Sequence, residues 1–412
     1  MKYFAAFLFV FVLSYASGQD FDYSKSVISK LCSQEYQGRG YSFDGAARAA
    51  HYISKQFDSF NLSYHLQPFN FDVNVFDCDV DVVFDNDTLV PAVDFLVDAH
   101  SRSVDAQYRV FVFNPHKKKS VKALKQILNS RDSFTTVVFD TVGLDRNVAV
   151  YYYSSILNFN RNVAHLEIVP VNAISFQGIF QTQNNYTSLT VLRKKIKPGF
   201  VKFKIDARIQ HSTPAVNIIA KIDGQTDSSI VFTAHYDHIG TLGREVFFPG
   251  AHDNASGTAA VLTLAKYFST QKPRYTLIFM LFSGEETGLC GSLFYAENPV
   301  YPLEKIKFLF NLDMLGSGEK GVQIVNSTIF KREFDLLDTI NDKNNYLVRI
   351  VKRGEAANSD HYSFYKKGVP CFYIYTLGEY KEYHNIKDKA ETLPLYAFQN
   401  ILKLLIDFTR FY

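Results

Sequence analysis

Cysteine is scarce in this chain, with four residues in 412, at positions 32, 78, 290 and 371. They lie far apart and form no CxxC pair, which excludes a dense disulfide framework. An oxidising compartment allows a disulfide among them, but its pairing is not readable from spacing. Cys290 and Cys371 sit in apolar or small-residue contexts and are expected as buried thiols. Long basic runs are also missing. The formal net charge is +3, and the densest cluster, Lys117-Lys118-Lys119, is expected to open an amphipathic helix with a solvated face, so nucleic acid is not a partner. A bilayer-spanning helix needs about 20 consecutive apolar residues, and no stretch of the chain is that long. Internal repeats and low-complexity segments are absent. What remains is an ordinary globular balance, 47% hydrophobic and 21% charged, with enough apolar material for a sizeable core.

The apolar residues at the amino terminus have another use. One lysine, Lys2, precedes the run from Tyr3 to Leu13, and the small residues Ala16 and Gly18 follow where a signal peptidase cleaves. Residues 1–18 are therefore expected to be a signal peptide, and the protein secreted or periplasmic. Cys32 lies well past the run, so no lipid-anchored cysteine begins the mature chain. Asn-x-Ser/Thr patterns occur at Asn61, Asn86, Asn185, Asn254 and Asn326. A glycan at Asn254 is rejected, because that residue falls in the expected active cleft.

Three textures follow one another along the chain. Residues 19–68 carry helix-spaced apolar positions, among them Ala46, Ala49, Ala50, Ile53 and Phe57. Residues 69–203 alternate apolar with polar, as in Phe71-Asp-Val-Asn-Val-Phe, Tyr108-Arg-Val-Phe-Val-Phe and Val148-Ala-Val-Tyr-Tyr-Tyr, and predict an inserted β-rich domain. Residues 204–412 change to strand–loop–helix. The continuous apolar run Tyr275–Phe282 predicts a strand buried on both faces of a parallel sheet. The fold class is thus α/β, a mostly parallel central sheet flanked by helices, with a β-rich insert.

Acidic and histidine residues gather just beyond the carboxyl ends of these strands. His235 and Asp237 follow Ile230–Ala234, Glu285 and Glu286 follow Tyr275–Phe282, and Asp313 follows Ile306–Leu312. Asp253 sits in Gly-Ala-His-Asp-Asn-Ala-Ser-Gly at a helix start, and His384 follows later in the chain. In open α/β sheets, sites form in the crevice outside the carboxyl ends of the strands. Histidine nitrogens and carboxylate oxygens in this number suit two zinc ions about 3.5–4 Å apart. Asp253, on a tight Gly-rich turn, is the candidate to bridge them. Asp237 is expected to accept a hydrogen bond from His235 and fix its tautomer. The Glu285-Glu286 pair invites a division between ligand and proton acceptor.

Six segments, His235-Tyr-Asp-His, Gly250-Ala-His-Asp-Asn-Ala-Ser-Gly-Thr, Gly284-Glu-Glu-Thr-Gly-Leu-Cys-Gly-Ser, Asn311-Leu-Asp-Met, Ser359-Asp-His and Tyr383-His, resemble the co-catalytic di-zinc aminopeptidase family that includes aminopeptidase Y and the secreted bacterial leucyl aminopeptidases. The resemblance is strong over about 205–412 and weak over about 24–65. It implies a secreted zinc aminopeptidase acting on peptide substrates, with one zinc on His235, Asp253 and Asp313, the other on Asp253, Glu286 and His384, and Glu285 as general base. It also implies a protease-associated domain in the position of the insert, although no motif there matches. One departure is His252, where the family often has Asp. His238, His252 and His361 are expected to be ordinary histidines. Alternatives on the same fold are a single-zinc glutaminyl cyclase, a dipeptide carboxypeptidase, or a non-catalytic binding ectodomain like transferrin receptor. The insert is expected to overhang the cleft, and a core without it to bind zinc still.

Overall fold

Tyr275–Phe282 lies inside an eight-stranded sheet of the protein, whose computed structural model describes residues 20–130, 133–161, 166–176 and 178–412. The expected signal peptide, 1–18, falls outside the described residues. In spatial order the sheet runs Tyr64–Val75, Arg208–Ile222, Tyr275–Phe282, Thr226–His235, Ile306–Leu312, Cys371–Thr376, Val322–Val325, Ile350–Lys352. The four central strands, from Tyr275–Phe282 to Cys371–Thr376, pair in parallel. The two strands before them pair antiparallel.

Alternation along the central strands divides their side chains between two cores. Ile230, Phe232 and Ala234 point into the larger cluster, which takes in the helices Gly45–Ser59, Ser256–Phe268 and Phe398–Phe411. Val231 points into a second cluster with Ile278, Met280, Tyr295 and Phe364. Phe232 packs between Phe279 and Phe310, with ring centroids 5.9 and 5.7 Å away. Full burial of one such ring contributes about 1.5–3 kcal/mol. The strand order also creates the crevice. From Thr226–His235 the chain crosses to Tyr275–Phe282 on one side and then to Ile306–Leu312 on the other, so His235 ends the strand about which the winding reverses.

Between Tyr64–Val75 and Arg208–Ile222 the chain builds two further sheets, one of five strands and one of three. The expected junctions at 69 and 203 lie within the strands Tyr64–Val75 and Gly199–Ile205. Val82, Phe84 and Phe203 join the same buried cluster as Phe232, while Phe113, Leu124, Val137 and Ile156 form a cluster of their own. Val148-Ala-Val-Tyr-Tyr-Tyr is not a strand, contrary to its predicted pattern, but part of the helix Arg146–Phe159. The Asp145 carboxylate caps its start, accepting from the amides of Asn147 at 2.9 Å and Val148 at 3.4 Å. Lys118 begins a helix ending at Ser130, as expected.

All four cysteines are free, with Cys32 and Cys371 buried and Cys290 only half-buried. Asn254 and Asn326 are fully buried, so neither is placed to carry a glycan. No helix among the described residues is long and apolar enough to cross a membrane.

Candidate metal centre

The loop that carries Asp253 is fixed before any cation is considered. Asp388 accepts hydrogen bonds from the His252 amide at 2.8 and 3.0 Å and from the Asp253 amide at 3.1 Å. Asn254 donates to the Leu312 carbonyl at 3.0 Å and accepts from the amides of Gly257 at 2.8 Å and Met314 at 3.2 Å. The turn and the end of the strand Ile306–Leu312 are thereby joined. A Cβ at Gly257 would lie 2.1 Å from the Leu312 carbonyl oxygen, so only glycine allows this approach.

Arg39, which the sequence does not flag, is buried beneath this loop and donates to backbone oxygens of Leu31 at 3.0 Å, Tyr236 at 2.9 Å, Pro249 at 2.6 Å and Gly250 at 2.7 Å. A fifth bond, at 3.4 Å, reaches the Asp253 carbonyl, and removing the guanidinium leaves all five buried carbonyls without that donor. Arg39→Met is therefore expected to cost roughly 3–5 kcal/mol in a urea unfolding measurement. A loss below about 1 kcal/mol would mean the loop holds its shape without it.

Two groups of potential ligand atoms meet at Asp253. His235, Asp253 and Asp313 present atoms all within 4.8 Å of one another, and His238, Asp253, Glu286 and His384 do the same. The two oxygens of Asp253 face opposite ways. Oδ1 lies 3.2 Å from His235 Nε2, and Oδ2 lies 2.9 Å from His384 Nε2. Asp313 Oδ1 is 3.4 Å from His235 Nε2, and Glu286 Oε2 is 3.2 Å from His384 Nε2. Every residue of both groups is buried.

The surrounding side chains hold these groups in place. Ser359 donates to Asp313 Oδ2 at 2.8 Å, leaving the buried Oδ1 with no hydrogen-bond donor. His235 Nδ1 faces the Asp237 backbone carbonyl at 3.2 Å, with the Asp237 carboxylate farther off at 3.7 Å. That carboxylate instead accepts from the Tyr41 hydroxyl at 3.0 Å and the Glu285 amide at 3.3 Å. Asp237 thus orients His235 mainly through its main chain, while its side chain anchors the turn carrying Glu285. His238 is not the ordinary histidine expected. It is buried in the cluster, with Nδ1 2.7 Å from Glu286 Oε1 and Nε2 unpartnered. Its position three residues after His235 was its only sequence signal. His252 stands apart from both groups and accepts from the Gly316 amide at 3.0 Å through Nδ1. His361 is buried against Tyr373, 5.2 Å between ring centroids.

Electrostatics describe a cleft suited to cations. Burial opposes charge on His235, yet Glu285, Asp313, Asp237 and Asp253 push its pKa well above the usual imidazole value. Burial likewise opposes ionisation of Asp253 and Glu286. The neighbouring histidines nevertheless hold Asp253 well below the usual carboxylate range and Glu286 down to about 2. Enclosure in the cleft, together with the charges of Glu286, Asp313 and Asp360, raises Glu285 well above that range, and burial raises Asp360 to about 7. Carboxylates this crowded must share protons or cations. The donors are histidine nitrogens and carboxylate oxygens, Asp313 Oδ1 and His238 Nε2 are orphaned, and the residues present therefore fit a zinc site.

Residues 217–409 match the family model described as peptidase family M28. That match takes in a little under half of the chain. A curated relative, a probable zinc metalloprotease of Pyricularia oryzae, is 35% identical over 130 residues, 30% of this chain and 26% of its own length. Aminopeptidase YwaD of Bacillus subtilis is 30% identical over 172 residues, 39% of this chain and 36% of that protein. The matched part thus spans only about a quarter to a third of these curated relatives. Among solved structures, a zinc aminopeptidase from Bacillus subtilis superposes with a TM-score of 0.69 at 18% identity, over 94% of this chain and 93% of that one. An aminopeptidase from Aneurinibacillus sp. strain AM-1 gives 0.65 at 19% identity, over 95% and 93%. These last two likenesses establish the fold over nearly the whole chain. The family model and the curated relatives are alike described as peptidases, the first relative as a probable zinc metalloprotease.

Proposed function

We propose that the protein is a secreted aminopeptidase that uses two zinc ions to remove N-terminal residues from peptides. The observation that carries this reading is the divided carboxylate of Asp253, with Oδ1 turned to His235 and Oδ2 to His384. One ion is assigned to His235, Asp253 and Asp313, and the other to Asp253, Glu286 and His384. When bound, zinc supplies Lewis acidity, polarising the scissile carbonyl and lowering the pKa of water. Glu285 then acts as general base, taking a proton from the attacking water and returning it to the leaving amine. Asp237 positions Glu285 by accepting from its amide. The aminopeptidase reading is supported by the name of the Bacillus subtilis relative. Secretion is proposed from the apolar run at residues 3–13 alone.

A panel of aminoacyl chromogenic amides, each with a free and an N-acetylated amino terminus, tests this. Hydrolysis of the free forms only, lost with chelator, is the expected result. A zinc count of one with cyclisation of N-terminal glutamine would point to a glutaminyl cyclase. Release of dipeptides from the carboxyl terminus would point to a carboxypeptidase, and no turnover with zinc bound would point to a binding ectodomain.

A further inference from the structure

His384 lies in irregular chain eight residues past the strand Cys371–Thr376, with a left-handed φ of 51°, so no helix or strand of the peptidase half fixes its direction. The inserted segment supplies that support. The Phe176 amide donates to the His384 carbonyl at 2.8 Å, and His384 Nδ1 lies 3.1 Å from the Phe176 carbonyl. With Nδ1 donating to that carbonyl, Nε2 carries the lone pair it turns toward Asp253 and Glu286. The same segment reaches the other side of this half-site. The Ile179 amide donates to the Glu286 carbonyl at 3.1 Å, and Gln181 Nε2 donates to the Thr287 carbonyl at 3.1 Å. Its outer side is tied down in turn, because the Asn74 amide donates to the Phe180 carbonyl at 2.8 Å and Gln183 Nε2 to Asn74 Oδ1 at 2.8 Å. Phe176 and Ile179 are buried, and the Phe176 ring packs on Phe248 at 5.5 Å.

The contacts of this strap fall on Glu286 and His384. The ligand atoms of the other half-site are supported from within the peptidase half, Asp313 by Ser359 and His235 by the Asp237 carbonyl. We propose that the insert acts as a positioning device for one of the two cations, setting the affinity of the ion held by Asp253, Glu286 and His384 while leaving the ion held by His235, Asp253 and Asp313 to the peptidase core. This rests on the two-ion reading above. It also changes what removal of the insert should do, since a core without residues 76–207 would keep one ion tightly, not two.

The test uses the full-length chain with graded disturbances of the strap. Gly178 has a φ of 114°, which side-chain-bearing residues rarely adopt, so Gly178→Val strains the backbone of the strap at a point 3.5 Å from the Glu286 carbonyl oxygen. Gln181→Ala removes the bonds of Nε2 to the Thr287 carbonyl and the Cys290 sulfur without backbone strain, and covers the case in which the valine variant misfolds. Zinc content is measured by mass spectrometry after dialysis against a series of buffered free-zinc concentrations, with circular dichroism to confirm folding. The wild-type chain should take up two ions. The variants should keep one at the wild-type free-zinc level and need about 10–100-fold more for the second, the range seen when groups orienting a ligand are lost. Ser359→Ala, which releases Asp313 instead, should weaken the other ion. Equal weakening of both ions, or two unchanged affinities, in folded strap variants would overturn the assignment of the strap alone. A wild-type chain that binds a single ion at every concentration would overturn the two-ion reading and the strap assignment with it.

Discussion

Exhaustive dialysis against a chelator is expected to abolish hydrolysis and to lower the melting temperature by roughly 5–10 °C, with zinc restoring both. The effect on stability follows from the cleft. Asp253, Glu285, Glu286, Asp313 and Asp360 crowd around three buried histidines. Ligands that bind only the folded state stabilise by about 4 kcal/mol at a thousandfold excess over Kd. Without cations the carboxylates are left to the imidazolium charge of His235 and His384, whose pKa values are pushed up in response. Differential scanning calorimetry of the chelated and reloaded protein measures the shift, and the same samples give the activity. Full activity in zinc-free protein would remove the metallopeptidase reading.

Much of this centre could be read in the sequence because the relevant signals are local. A strand buried on both faces is a continuous apolar run, as in Tyr275–Phe282, and the residues just past its carboxyl end must lie in the crevice. That is why His235, Asp313 and the Glu285-Glu286 pair could be grouped although they are far apart in the chain. What sequence could not give was anything carried by the main chain or by distant packing. Arg39 acts on five backbone carbonyls, and carbonyls have no sequence signature. The Phe176 contact to His384 spans 208 residues and likewise uses a carbonyl. The Asp237 carboxylate was expected on His235 from the two-residue spacing, but the backbone oxygen of the same residue is nearer and takes that place. In Arg146–Phe159, β-branched and aromatic residues suggested a strand, and the Asp145 cap with tertiary packing of Ile156 and Phe159 outweighed that propensity.

Two adjacent glutamates on one turn allow the sharpest separation of roles. Glu286 is buried, with Oε1 2.7 Å from His238 Nδ1 and Oε2 3.2 Å from His384 Nε2, so both oxygens face into the half-site. Glu285 is half-buried, is held by its amide on Asp237, and belongs to neither group of candidate ligands. Glu285→Ala is therefore expected to lower kcat by about 10²–10⁴-fold or more with zinc content unchanged. Glu286→Ala should instead lose one equivalent of zinc, its activity falling with the metal and recovering in part at high free zinc. Glu285→Asp separates distance from chemistry, since it keeps the carboxylate but withdraws it by one methylene, and should fall between wild type and alanine. Metal analysis and single-substrate kinetics on the three variants decide the matter. Zinc lost from the Glu285→Ala protein and retained in the Glu286→Ala protein would exchange the two roles, because the residue that keeps the ion in place cannot also be the one free to carry the proton.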